Sequence, residues 1–330
     1  MTLALDLDAL AFRFAGAVGL TDSNGLLDGV RVDCRRLEGG TSGLTLELVV
    51  YIGDASRRYV AKCVPPGRNP SGRHDVFGQA QVMSHLALLG QVPVPRLLAI
   101  DESAPAFVVM EFVEGRISEP IMDHSRPRSE AEIASAWSML VETLCALHDS
   151  STHGLSTPSH RRLSPADELS RWSETMRLSA QFDDDRSRAV RLALERTTPA
   201  QTSQVLVHGD FRLGNVVEVD GQIRAVFDWE IWALADRRSE LGWTMMFLEP
   251  GLFLGDVAVS GLPTSTEVLD QCKAHGGASL DGVAWFAALQ RYKGAAIARS
   301  SLRRADNDDT AAAFGEQADR MLASAAAHLF

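Results

Sequence analysis

The sequence predicts an α+β fold in two parts, a sheet-rich first third and a larger helical remainder. Three observations carry that expectation. Apolar residues alternate in short runs before residue 112, they recur at helical spacing from about residue 130, and one strand-rich island at 203–228 interrupts the helices. In order, residues 4–17 have the apolar spacing of a leading amphipathic helix. Segments 31–34, 44–52 and 58–64 read as strands. The turn after the first is Glu38-Gly39-Gly40-Thr41-Ser42-Gly43, and Pro65-Pro66-Gly67 closes the third. Residues 75–89 form a predicted helix ending at Gly90. Pro93 and Pro95 lead into an extended run at 96–100, 107–112 is a further strand, and Gly115 closes this part. Helices follow at 131–148, 165–178 and 186–196. The island reads as strand 204–207, a loop, strand 216–219, an Asp220-Gly221 hairpin turn and strand 222–227. Helices return at 237–248, 264–275, 281–300 and 309–328, with no internal repeat or low-complexity tract.

A chain of 330 residues suffices for two packed lobes, and 45% hydrophobic with 23% charged residues is the composition of a globular protein. The net charge of −11, from 43 acidic and 32 basic side chains, disfavours a nucleic-acid partner, because phosphate backbones are held by clustered Lys and Arg. Cys34, Cys63, Cys145 and Cys272 form no C-x-x-C pair, so the expectation is reduced thiols without a zinc site. The N-terminus carries Asp6, Asp8 and Arg13 and lacks the pattern of a signal peptide. No stretch of 18 uncharged apolar residues occurs, so the sequence predicts a cytoplasmic protein with no membrane partner.

The chemistry concentrates in Val205-Leu-Val-His-Gly-Asp-Phe-Arg-Leu-Gly-Asn215 and Val226-Phe-Asp-Trp-Glu230. Asp210 and Asn215 stand at the two ends of a loop leaving an apolar strand, and Asp228 stands where the next hairpin ends. A hairpin returns its end close to its beginning, so the three side chains are expected to converge. Two carboxylates and an amide make a hard, oxygen-rich site that suits Mg²⁺ rather than zinc. An acid within reach of a hydroxyl can also orient it and accept its proton.

The pattern H-G-D-x-x-x-x-N followed by D-W-E resembles the aminoglycoside phosphotransferase family, relatives of the protein kinases. The resemblance implies a two-lobe protein-kinase-like fold with an N-lobe at 1–112, a C-lobe at 113–330 and the active site in the cleft. It implies transfer of the γ-phosphate of ATP or GTP to a small-molecule alcohol. Asp210 would be the catalytic base, Asn215 and Asp228 the Mg²⁺ ligands, and His208 a brace for the loop. Tyr59-Val60-Ala61-Lys62 resembles the family's third strand, whose basic residue meets the α/β-phosphates, although a strand lysine standing alone is usually a solvated charge. Gly39, Gly40 and Ser42 resemble the loop that covers the phosphates. No G-K-[ST] follows, so this is not a Walker P-loop. Met110, Glu111 and Phe112 resemble the connector that holds the nucleotide base. Asp236 matches a further Asp of the family, and a helix N-cap explains it equally well. One position departs: where kinase-like enzymes place a Glu to pair with the strand lysine, this chain has Gln79, with Asp75 one turn earlier as a substitute.

The spelling H-G-D-F-R-L-G-N with L-G-W most resembles the branch found fused or adjacent to acyl-CoA dehydrogenases, which implies a hydroxyacid or hydroxyacyl acceptor. On the helix at 281–300, Lys293 or Arg299 would then face an acyl carboxylate or CoA phosphate. The simpler reading is an aromatic face, with Trp285, Phe286 and Tyr292, backed by solvated basic residues including Arg291. The acids Asp167, Glu168, Glu174 and Asp183–Asp185 could instead attract an amino sugar, as in an antibiotic phosphotransferase, or simply form a solvated surface. Gln79 leaves open a nucleotide-binding pseudokinase module.

Overall fold

The computed structural model describes residues 6–23, 25–37, 44–122, 128–179, 184–254, 258–276, 279–302 and 307–330. The chain divides into two compact units. One comprises Met1–Arg116, Gly154–Ser156 and Arg224–Trp232, and the other Ile117–His153, Thr157–Ile223 and Ala233–Phe330. The first unit thus reaches Arg116 rather than residue 112, and it takes in Arg224–Trp232, a segment that the sequence assigns to the C-lobe.

In the first unit, α1 (Leu7–Ala17) starts at Asp6, whose carboxylate accepts from Ala9 N at 2.9 Å. Two short strands, β1 (Thr21–Asp22) and β2 (Gly25–Leu26), pair with each other. The main strands are β3 (Val30–Arg36), β4 (Leu44–Ile52) and β5 (Ala55–Cys63). After α2 (Val76–Leu89) come β6 (Leu97–Asp101) and β7 (Phe107–Glu111). They form one antiparallel sheet in the order β3-β4-β5-β7-β6. Because strand side chains alternate, Leu44, Leu46 and Leu48, with Ala61, Cys63, Phe107 and Val109, turn to one face. There they pack on Leu10 and Phe14 of α1. The alternation puts Lys62 on the opposite face, together with Glu47, which is buried between Arg35 and Arg58.

The second unit is mainly helical. Its elements begin with α3 (Glu130–Asp149), α4 (Pro165–Leu178) and α5 (Asp185–Arg196), and continue with β8 (Val205–Val207) and β9 (Val216–Val219). The hairpin partner of β9 is β10 (Gln222–Val226), which passes into the first unit at Arg224, and β11 (Ala233–Ala235) follows in the second. Then come α6 (Arg237–Met246), α7 (Gly251–Leu254), α8 (Ser265–Gly276), α9 (Val283–Leu302) and α10 (Asp308–Ala327). Ser129 with Glu132, and Ser164 with Asp167, form capping boxes that start α3 and α4. The hairpin turns at Asp220 and Gly221, with φ of 50° and 69°, both in the left-handed region that a two-residue type I′ turn requires. Strand β8 pairs antiparallel with β11, an element without a strand signal in the sequence. Helix α9 is the buried axis, packed by α4, α6 and α10. Cys145 of α3 and Cys272 of α8 lie on helices that pack together, and both are free thiols. Among the described residues no helix is long and apolar enough to cross a membrane.

Candidate functional site

In the first unit, Lys62 and Asp228 form an ion pair, Nζ to Oδ1 at 2.5 Å, across a sequence separation of 166. Asp228 sits in the left-handed conformation, φ 70° and ψ 52°, where a residue with a Cβ is strained. Two indoles hold it there. Trp229 Nε1 donates to Val226 O and Trp232 Nε1 to the Gly78 carbonyl of α2, both at 2.9 Å. Gln79 is buried on α2, and the acid paired with Lys62 is therefore Asp228, not a carboxylate at position 79. Asp75, the expected substitute, is the N-cap of α2 and accepts from Gly78 N at 2.8 Å.

Met110 is buried in β7, opposite Val60. The Glu111 and Phe112 amides donate to Arg96 O and Arg58 O within the unit. Phe112 also carries the Arg58 guanidinium 3.5 Å from its ring centroid. Gly39, Gly40 and Ser42 lie outside the described residues.

In the second unit, the loop between β8 and β9 brings Asp210 and Asn215 together. Asn215 Nδ2 donates to both Asp210 O and Asp210 Oδ2 at 2.8 Å. Trp243 Nε1 donates to Asp210 Oδ1 at 2.8 Å and Arg212 Nε to the same oxygen at 3.2 Å. His208 is fully buried, and its Nδ1 accepts from Asp210 N at 3.2 Å. Gly209 has φ 87°, a conformation that favours glycine, and so directs the chain from His208 into Asp210. Phe211, also fully buried, accepts through its carbonyl from Thr244 Oγ1.

Beneath this loop lies Glu240 of α6, which sequence reasoning did not single out. Its carboxylate accepts from the backbone amides of His208, Gly209 and Phe211. Burial pushes its pKa up to about 7, against the pull of those amides and of Lys293. Lys293 Nζ donates to Gly209 O at 2.6 Å and lies 3.8 Å from the centroid of Trp243 and 5.3 Å from that of Trp172. Burial lowers its pKa to about 8, while Glu168, Asp210 and Glu240 act to raise it. Glu119 accepts from Gly214 N, and burial raises its pKa to about 7.

A sequence signal for this support existed. Glu240 and Trp243 are three apart, hence on one helix face, and Glu240 is the acid that immediately precedes a mostly apolar run, Leu241-Gly-Trp-Thr-Met-Met-Phe247.

Several expectations need correction. Arg291, Lys293 and Arg299 are not solvated, nor do they await an acyl carboxylate. All three are buried, and they satisfy Glu249, the Gly209 carbonyl and Asp184 respectively. Glu168 is likewise buried rather than part of a solvated acidic surface. Asp236 acts as the N-cap of α6 and binds Arg238 at 2.8 Å inside the unit, which is the structural of its two readings.

Among the described residues no three His, Cys, Asp or Glu side chains gather to hold a metal ion. A Mg²⁺ carried by a nucleotide does not need such a cage, because one or two protein oxygens and the phosphates suffice. The donor chemistry fits. In the second unit the Asn215 nitrogen faces Asp210, which leaves the amide's hard carbonyl oxygen as a candidate donor, and in the first unit Asp228 carries a carboxylate.

The phosphotransferase enzyme family model matches residues 33–269. Acyl-CoA dehydrogenase family member 11 of Homo sapiens is 28% identical over 276 residues, covering 77% of this chain and 34% of the human protein. Family member 10 of Mus musculus is 25% identical over 343 residues, covering 98% of this chain and 31% of the mouse protein. The chain thus spans about a third of the length of these relatives. Among solved structures, a proposed aminoglycoside phosphotransferase from Ralstonia eutropha superposes with a TM-score of 0.74 at 22% identity, covering 98% of this chain and 99% of that one. A thermostable mutant of aminoglycoside phosphotransferase APH(4)-Ia, in ternary complex with ADP and hygromycin B, gives 0.59 at 17% identity, covering 88% and 94%. These likenesses give a two-lobe kinase-like fold. The loop anchored on α6, the strand lysine and the family match over residues 33–269 together make this chain a member of the phosphotransferase enzyme family.

Proposed function

We propose that this chain transfers the γ-phosphate of ATP or GTP to the hydroxyl of a small-molecule acceptor, with Asp210 as the base. The observation that carries this reading is the occupancy of the Asp210 carboxylate. Trp243 and Arg212 donate to Oδ1 and Asn215 to Oδ2, which fills three of a carboxylate's roughly four lone-pair positions. The fourth, on Oδ2, accepts the proton of an alcohol, while the other three keep the carboxylate in one orientation.

Lys62 is the proposed partner of the α/β-phosphates, with Gly39, Gly40 and Ser42 covering them. Lys62 and Asp228 neutralise each other, and a magnesium-bound triphosphate offers each a new partner of opposite sign. Asn215 and Asp228 are the proposed Mg²⁺ ligands, and the ion when bound would neutralise charge on the transferring group. Met110 and the backbone carbonyls of Glu111 and Phe112 are the proposed contacts of the base.

Asp210→Asn should lower turnover by about 10²- to 10⁴-fold and leave the thermal midpoint unchanged. Unaltered turnover in that variant rejects the assignment. For the acceptor, kinship with acyl-CoA dehydrogenase family members supports a hydroxyacid or hydroxyacyl thioester. Mass spectrometry of a panel that also contains amino sugars and amino alcohols tests it, and phosphate on amino sugars alone would make the chain an antibiotic-type enzyme. The neutral Gln79 favours a second reading, a pseudokinase module. Nucleotide-induced stabilisation without transfer to any member of the panel is its signature.

A further inference from the structure

We propose that Lys293 is a positioning residue for phosphoryl transfer, one buried ammonium that fixes both the peptide plane entering Asp210 and, through Trp243, the Asp210 carboxylate. The inference rests on the reading of Asp210 as the base.

The peptide joining Gly209 to Asp210 is held at both ends. Its carbonyl accepts from Lys293 Nζ at 2.6 Å and its N–H donates to His208 Nδ1 at 3.2 Å. A peptide is planar, so two opposed hydrogen bonds fix the direction in which the Asp210 Cα leaves it. Gly209, with φ 87°, is the residue whose backbone would otherwise let that plane turn.

The same ammonium lies over the face of Trp243, 3.8 Å from the centroid, while the edge of that indole donates its N–H to Asp210 Oδ1 at 2.8 Å. A cation on the π-face draws electron density from the ring and strengthens the N–H as a donor. Lys293 therefore acts on Asp210 by two routes, one through the backbone and one through the side chain, and touches neither carboxylate oxygen itself.

A buried lysine is costly, and this one stands in the middle of α9 with only 3% of its surface exposed. Aliphatic side chains could fill its volume. What they could not supply is a donor for Gly209 O together with a charge for the Trp243 face. Glu168 and Glu240 sit close enough to offset the charge, so the cluster is arranged to keep a cation under the loop.

The test pairs Lys293→Met, which keeps length and removes charge and donor, with Trp243→Phe, which keeps a ring and removes the N–H. MgATP alone is the probe, with water as phosphate acceptor, and the Trp243 indole N–H resonance is read in parallel. The expected result for Lys293→Met is a kcat about 10- to 100-fold lower with KM for ATP within about threefold of wild type. The indole resonance should move, and the double variant should lose little beyond the worse single one. A purely structural lysine would lower the thermal midpoint and leave kcat per folded molecule unchanged, and that result overturns the proposal.

If Lys293→Met does not fold, Trp243→Phe decides: a kcat at the wild-type level overturns the proposal and a selective fall in kcat sustains it. A wild-type protein that turns over no MgATP, with water or with any acceptor, counts against phosphotransfer itself. In that case the positioning role falls with it, whereas a wild-type protein that turns over MgATP and a Lys293→Met variant with unchanged kcat overturn the role of Lys293 alone.

Discussion

Asp210 and Asp236 are both acids in short polar motifs, and their surroundings give them opposite consequences. Asp210 keeps one lone-pair position and partial exposure. Asp236 is buried against Arg238, whose side chain is 4% exposed, and also accepts from the Thr202 and Arg238 amides. Asp236→Ala leaves a buried guanidinium without its acid and should cost about 3–5 kcal/mol in urea unfolding. His148 shows the same scale of effect through pH. Burial, helped by Arg237, lowers its pKa from 6.5 to about 3. Below pH 6.5 the unfolded chain takes up a proton that the folded chain refuses, so stability falls as pH drops from 6.5 toward 3. The loss by pH 5 is about 2 kcal/mol, and His148→Leu should flatten it when urea midpoints are compared at neutral and mildly acidic pH. The sequence displayed Asp210 and Asn215 because their spacing is fixed by a loop of set length. It did not display His148, whose state depends on what surrounds it.

At the level of elements, the crossing of α6 and α9 places much of the support of the loop, because α6 carries Glu240 and Trp243 and α9 carries Lys293. Gly242 permits the crossing. A Cβ there would lie 2.9 Å from the backbone C and O of Phe286. Gly242→Ala must push the helices apart and should cost roughly 1–3 kcal/mol, read as a lower thermal midpoint. Helix limits were legible where local chemistry sets them: residues 165–178 follow from Ser164, Pro165 and Asp167, and the end of α2 from Gly90. Strand β11 was not, since Ala233-Leu234-Ala235 has no β-branched residue and is a strand only because β8 pairs with it. The leucine, glycine and tryptophan at 241–243 could be read as a family spelling, but not as a helix contact.

Over the whole molecule, local patterns gave the two-part fold, whereas the partners of its charged groups had to come from distant segments. Lys62 finds its acid 166 residues away and Gly209 its lysine 84 residues away. Periodicity carries no such information, which is why a missing Glu at position 79 gave no hint of Asp228. Nucleotide binding should appear as a global property. MgATP at about a hundred times its Kd should stabilise the chain by about 2.7 kcal/mol. Lys62→Ala should remove most of that gain in a thermal-shift titration, while Asp210→Asn retains it. The inclusion of Arg224–Trp232 in the first unit has a consequence for biosynthesis. When the ribosome reaches Arg116, Trp232, whose indole binds the Gly78 carbonyl of α2, and Asp228, which balances Lys62, have not yet been made. The segment at 1–116 therefore stays incompletely packed until a stretch more than a hundred residues further along the chain has been made to complete it.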